Sequence, residues 1–115
     1  MNSQRIVLAH ESRLMREMIK HILSKSSTLE VIGEAQTMPK LNSILENKEA
    51  DWLIANLSPD GAISLRIQKL LLSNPELSVL GITHRGDYVQ MYQLHIHQEQ
   101  YQNCSLDDMV KLLKK

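Results

Sequence analysis

Asn56 closes the apolar run Trp52-Leu53-Ile54-Ala55, and the turn residues Ser58-Pro59-Asp60-Gly61 follow almost at once. A side chain in that place leaves a buried strand at its carboxyl end, where open α/β sheets bind ligands. An aspartate there is a nucleophile that takes up a phosphoryl group as an acyl phosphate, whereas the amide of asparagine is not a nucleophile. Two further polar pairs end apolar runs in the same way. His10-Glu11 follow Ile6-Val7-Leu8-Ala9, and Thr83-His84 follow Val79-Leu80-Gly81-Ile82. If these runs end at one sheet edge, His10, Glu11 and His84 form a candidate zinc set of two imidazoles and a carboxylate. Their spacing matches no metal-ligand motif. The competing reading makes the histidines neutral hydrogen-bonding groups, and a histidine also titrates near neutral pH and can sense acidity.

The elements that must position these groups alternate between short apolar runs and amphipathic segments. Ile6 to Ala9 reads as a strand buried on both faces. Ser12 caps a helix whose apolar stripe is Leu14, Met15, Met18, Ile19, Ile22 and Leu23, with Arg13, Arg16, Glu17 and Lys20 on the other side. Its methionines read as core filler in a chain with no Phe. Leu29 to Gly33 is a second strand. Thr37 caps a second helix that has Pro39 near its start and Leu41, Ile44 and Leu45 facing inward. After the strand that ends at Asn56, a third helix turns Ile63, Ile67, Leu70 and Leu71 inward and stops at Asn74-Pro75. Leu65 and Leu72, seven apart, fall off that stripe and mark a candidate contact surface.

Beyond the fourth strand, Val79 to Thr83, the pattern weakens. Asp87 to Leu94 reads as a short helix with Val89 and Tyr92 turned inward. The polar segment 97–102 fits a strand only at a sheet edge, and His95-Ile96-His97 just before it reads as a solvated loop. Ser105 with Asp108 opens a last helix, Leu106 to Lys114, with Leu106, Met109, Val110 and Leu113 on its apolar face. Cys104 before that helix reads as structural. The succession predicts a flavodoxin-like (βα)5 fold, a doubly wound parallel sheet of order 2-1-3-4-5 with a weak, polar fifth strand.

At 115 residues the chain forms one domain, residues 1–115, with a core large enough to need no metal or disulfide staple. Thirteen basic and thirteen acidic residues cancel, which argues against nucleic-acid binding by this chain alone. There is no apolar run of membrane-spanning length, no signal-peptide pattern and a lone cysteine, features that point to the cytoplasm.

In order and spacing the chain resembles the receiver domains of bacterial response regulators, especially those of LuxR/NarL-type regulators. The resemblance rests on Arg5-Ile-Val-Leu-Ala-His-Glu-Ser-Arg-Leu-Met-Arg-Glu17, on Leu29 to Ala35 and on Ala50 to Gly61. Such domains carry an acidic pair after the first strand, an aspartate after the third, Ser or Thr after the fourth and Lys after the fifth. The acidic cluster holds Mg²⁺, and metal and lysine stabilise the transferring phosphoryl group. Carried onto this sequence, the acidic pair is His10-Glu11, the phosphoacceptor position is Asn56, the hydroxyl position is Thr83 and the lysine position is Gln102. Glu99 falls where the family's switch aromatic stands, two residues from Tyr101. The loop after Asn56 is short, which displaces Ser58 from a metal-binding place.

The resemblance therefore implies a pseudo-receiver. Phosphorylation is lost, Mg²⁺ binding is weak or absent, no cofactor is needed and no catalysis is performed. The domain would act through protein contacts with a histidine kinase, an output domain or a second copy as a homodimer, using the face built from the fourth helix, fifth strand and last helix. Two alternatives stand beside it. One is a metal- or small-ligand sensor built on His10, Glu11, Asn56, Thr83 and His84. The other is the receiver part of a longer DNA-binding transcription regulator.

Overall fold

A strand buried on both faces needs apolar side chains at consecutive positions, and three segments, Ile6 to Leu8, Trp52 to Ala55 and Val79 to Ile82, meet that requirement. The computed structural model describes residues 3–58, 62–83, 88–93, 96–102, 109–110 and 113, with the backbone alone for 88, 93 and 96–102. The strands are β1 (Gln4–Leu8), β2 (Leu29–Glu34), β3 (Trp52–Asn56), β4 (Ser78–Ile82), β5 (Tyr88–Gln93) and β6 (Ile96–Gln102). The helices are α1 (Arg13–Leu23), α2 (Met38–Asn47) and α3 (Leu65–Ser73). Met109, Val110 and Leu113 are also helical, where the last helix is predicted.

The sheet runs in the order β2-β1-β3-β4-β5-β6. Its first four strands are parallel, with Ile6 opposite Trp52 and Asn56 opposite Ile82. This is the doubly wound, flavodoxin-like architecture, with the strand order 2-1-3-4-5 continued by one more strand.

Alternation along each strand divides the core into two layers. Ile6, Leu8, Trp52, Ile54, Leu80 and Ile82 face α1 together with Met109 and Leu113. Val7, Leu53, Ala55 and Val79 face α2 and α3 through Leu41, Ile67, Leu70 and Leu71. α1 and α2 start on the predicted hydroxyl caps, with Ser12 Oγ accepting from Met15 N and Thr37 Oγ1 from Lys40 N, and α3 starts on Ser64, which the sequence reading had not singled out and whose Oγ accepts from Ile67 N.

The C-terminal third departs from the sequence reading. Segment 88–93, predicted as a helix, is strand β5 and runs antiparallel to β4. Val89 and Met91 enter one core layer while Tyr92 packs on the other. That is a period of two, which suits β-branched and aromatic residues. The fourth helix of the predicted docking face is therefore replaced by strand. The polar segment does form a strand, at the edge as required, but as β6 paired antiparallel to β5. His97 lies in that strand rather than in a loop, and His95 and Cys104 fall outside the described residues.

Two residues of the predicted α1 stripe also differ. Leu14 is 72 % exposed and Met18 43 %, because Met15, Ile19 and Leu23 alone fill the layer against the sheet. Leu65 and Leu72 are exposed as read from the sequence. Among the described residues no helix is long and apolar enough to cross a membrane.

Leu57, directly after Asn56, is fully buried and lies across Gly81 of β4. A Cβ at position 81 would come within 2.6 Å of Leu57 Cδ2, so glycine there is a packing requirement. Gly81→Ala is expected to lower stability by about 1–3 kcal/mol in urea titration. In the Gly81→Ala/Leu57→Ala double variant the loss should be smaller than the sum of the single losses, since the clash is gone.

Candidate functional site

The carboxyl edge of the parallel strands gathers His10, Glu11, Asn56 and Thr83. Asn56 ends β3, and its Oδ1 accepts a 2.7 Å hydrogen bond from the backbone N–H of Glu11. Asn56, the predicted phosphoacceptor position, thus ties β3 to the turn between β1 and α1. Just beyond it Ser58 and Ala62 are bonded to each other. Ser58 N donates to Ala62 O at 2.9 Å, and Ser58 Oγ both donates to Ala62 O and accepts from Ala62 N.

His10 is fully buried. Ser12 N–H lies 3.1 Å from its Nδ1, and Ile82 O lies 3.0 Å from its Nε2. A backbone N–H can only donate and a carbonyl can only accept, so Nδ1 carries the lone pair and Nε2 the proton. The ring is a neutral bridge between the start of α1 and the end of β4. Ile82 O also accepts from Leu57 N at 2.9 Å, which brings β3, β4 and the β1–α1 turn together at one atom. Thr83 follows, half-buried.

Arg16 is the residue that the sequence reading missed. It was assigned to the polar side of α1, but its side chain is 3 % exposed. Its Nη1 donates to His10 O at 2.6 Å and to Glu11 O at 3.1 Å, and its Nε donates to Glu34 Oε1 at 2.6 Å. The spacing did carry a signal: Arg16 stands three residues before Ile19 and seven before Leu23, on their face of the helix. Lys20, one turn on, reaches the other oxygen of Glu34 at 3.0 Å and Glu17 at 2.8 Å. Partial burial alone would raise the Glu34 carboxyl, but hydrogen bonds from Lys20 and then Arg16 outweigh it and hold the group below its ordinary value of 4.5. The Lys20 ammonium is held above its usual range by Glu17 first and Glu34 second.

These donors do not suit Mg²⁺, which needs several hard oxygens. Asn56 Oδ1 is turned to a backbone N–H, the His10 nitrogens bind backbone groups and Glu34 is taken by two cations. Among the described residues no three His, Cys, Asp or Glu side chains come together as a metal site. His84, the third member of the candidate zinc set, lies outside them. Gln102 ends β6, and β5 stands between that strand and β4. Gln102, the predicted lysine position, therefore lies two strands from β4 instead of beside it.

A cleft of about 940 Å³ opens beside Asn56, between the starts of α2 and α3. Ala9, Ala35 and Ala55 hollow its floor, and Glu11, Thr37, Ser64 and Arg66 stand among its polar lining groups.

No protein-family model matches the sequence, and no curated protein sequence does either. Solved structures do. RcsB of Salmonella typhimurium, a response regulator studied for its DNA interaction, superposes with a TM-score of 0.63 at 23 % identity, covering 71 % of this chain and 41 % of its own. The non-phosphorylated receiver domain of the stress response regulator RcsB from Escherichia coli gives 0.62 at 22 %, covering 71 % of this chain and 66 % of that one. The chain has the fold of a response-regulator receiver domain. The likeness spans less than half the length of the longer RcsB chains, including the one bound to promoter rprA with a phosphomimetic (TM-score 0.62, 24 % identity, 43 % of that chain).

Two measurements check the clamp on this edge. Arg16→Met leaves two turn carbonyls without their charged donor and Glu34 with Lys20 alone, and is expected to cost about 2–3 kcal/mol in chemical denaturation. Because the folded Glu34 carboxyl is held below 4.5, its contribution is complete above that pH and lost as pH falls through the lower folded value. A Glu34→Gln variant should accordingly show a shallower loss of thermal midpoint below pH 4.5 than the wild type.

Proposed function

We propose that this domain is a phosphorylation-independent, receiver-like signalling module that works by protein–protein contact. The observation that carries the reading is Asn56, a non-nucleophilic amide at the acceptor position, with its oxygen committed to Glu11 N–H at 2.7 Å. The receiver fold supports a place in signal transduction, and the neutral His10 and the distant Gln102 strand support the loss of phosphoryl chemistry. No catalysis belongs to this reading, because both His10 nitrogens bind backbone groups and so serve no nucleophile as base. Partners would be a histidine kinase, an output domain or a second copy, in the cytoplasm. Exposed Leu65 and Leu72 on α3 are candidate contact residues.

A second reading is favoured by the structural likeness: the receiver part of a longer transcription regulator. RcsB has been solved as two dimers bound to two parallel DNAs. Here a separate output domain would carry the DNA contacts, since formal charge in this chain sums to zero.

The test is exposure to acetyl phosphate, or beryllofluoride, with Mg²⁺. Intact mass and thermal midpoint should both stay unchanged, and Asn56→Asp should remain unmodified because the rest of the site stays as it is. A phosphoryl adduct on the wild type would overturn the reading. Sedimentation over a range of concentrations separates a self-associating module from one that requires a different partner.

A further inference from the structure

We propose that the cleft between the starts of α2 and α3 is a binding site for a small, largely apolar molecule that carries one anionic group. Its floor is a row of alanines laid across three strands. Ala9 N donates to Ile54 O and Ala35 N donates to Leu8 O, both at 2.8 Å. Continued by one residue, the pairing of β1 with β2 and β3 sets Ala35, Ala9 and Ala55 side by side at the carboxyl ends of the strands. One step back on the same face, Val7 and Leu53 are fully buried and fill the layer beneath α2 and α3. Three methyl groups cannot do so, and the hollow of about 940 Å³ that remains falls within the ~300–1,000 Å³ of small-molecule sites. It also lies where the strand order reverses, with α1 on one face and α2 and α3 on the other. Open α/β sheets bind ligands at that point.

The walls and the mouth define the ligand. Met38 from α2 and Leu65 from α3 flank the opening, and Leu65 is 64 % exposed, so an apolar ring between the helices covers surface that the domain leaves open to water. The polar groups nearby are chiefly donors. Thr37 Oγ1 and Ser64 Oγ each accept a backbone N–H of their own helix, from Lys40 and Ile67, which leaves each hydroxyl its proton to donate. Arg66 joins them in the lining, and among the described residues no carboxylate forms an ion pair with it. Glu11 lines the cleft from the turn between β1 and α1 and repels an anion. The anionic group therefore belongs at the start of α3, with Ser64 and Arg66. Leu72, two turns beyond Leu65, is not part of the lining and stays available for protein contact.

Occupancy of the cleft is felt at the functional edge. Ala55 and Leu57, which stand on either side of Asn56, both belong to the lining, and Asn56 joins that strand end to Glu11 N–H. A molecule on the alanine floor thus bears on the end of β3 and on the first turns of two helices at once. As an input to signalling this rests on the proposed function. The binding itself does not: a phosphoryl adduct would overturn that reading and leave the cleft as it is.

The probes are anilinonaphthalene sulfonate, which joins apolar rings to one anion, and its uncharged relative phenylnaphthylamine. The folded domain is expected to bind one sulfonate molecule with a dissociation constant of roughly 10–100 μM, from the probe's size. Its thermal midpoint should rise with probe concentration, because a ligand held only by the folded state stabilises it. In nitrogen-15 NMR spectra the shifted amides should centre on Ala9, Ala35, Met38, Ala55, Leu65 and Arg66. Arg66→Glu should weaken the sulfonate about fivefold and leave the uncharged probe unchanged. Ala9→Leu fills the hollow from its least buried floor position and should weaken both probes at least about tenfold. Its midpoint without probe separates a filled cleft from a misfolded chain, and Arg66→Glu, at an exposed position, supplies a reading free of that problem. No saturable binding up to roughly 1 mM, amide shifts centred elsewhere, or equal sulfonate affinity in Arg66→Glu would overturn the site.

Discussion

A guanidinium taken out of water is costly unless its donors are matched, and the match found for Arg16 organises the whole functional edge. Between Leu8 and Arg13 the chain must leave a buried strand and start a helix, which turns the carbonyls of His10 and Glu11 away from the sheet ladder. Arg16 accepts that geometry by donating to both, and Glu34 at the end of β2 neutralises the charge. The same guanidinium satisfies backbone from the turn, anchors α1 and fastens the helix to an edge strand. With the turn held, Glu11 N–H is presented to Asn56 and the His10 ring is placed between Ser12 and Ile82.

Beside that guanidinium, neutral groups join the strand ends at the resulting edge. An amide oxygen accepts a backbone N–H and an imidazole spans two backbone groups. The charges that remain are compensated to one side, around Glu34.

Much of this was legible in the chain. The four apolar runs, the caps at Ser12 and Thr37, the inward stripe Ile63, Ile67, Leu70 and Leu71, and the edge position of the polar segment all follow from periodicity and local chemistry. The convergence of His10, Glu11, Asn56 and Thr83 follows from a parallel sheet. What escaped were residues whose surroundings come from elsewhere. Arg16 reads as surface until Glu34 and the turn carbonyls are in place. Leu14 and Met18 read as core until the sheet shows which face of α1 it covers, that of Met15, Ile19 and Leu23. In segment 88–93, Val89 and Tyr92 fit a helix at a spacing of three, while Val89 and Met91 fit a strand at a spacing of two. The open edge of β4 selected the strand.

By itself the sequence determined that residue 56 has no nucleophilic carboxylate, which is a property of the amide and independent of folding. It also determined that β1, β3 and β4 are central, because consecutive apolar residues must be covered on both faces. Only the tertiary structure decided that Arg16 is internal, that His10 is a single neutral tautomer and that Asn56 fastens a turn. Each of those depends on a partner distant along the chain: Glu34 eighteen residues from Arg16, Ile82 seventy-two from His10 and Glu11 forty-five from Asn56. Hydrogen-bond partners across such separations are set by packing, and local propensity does not encode them.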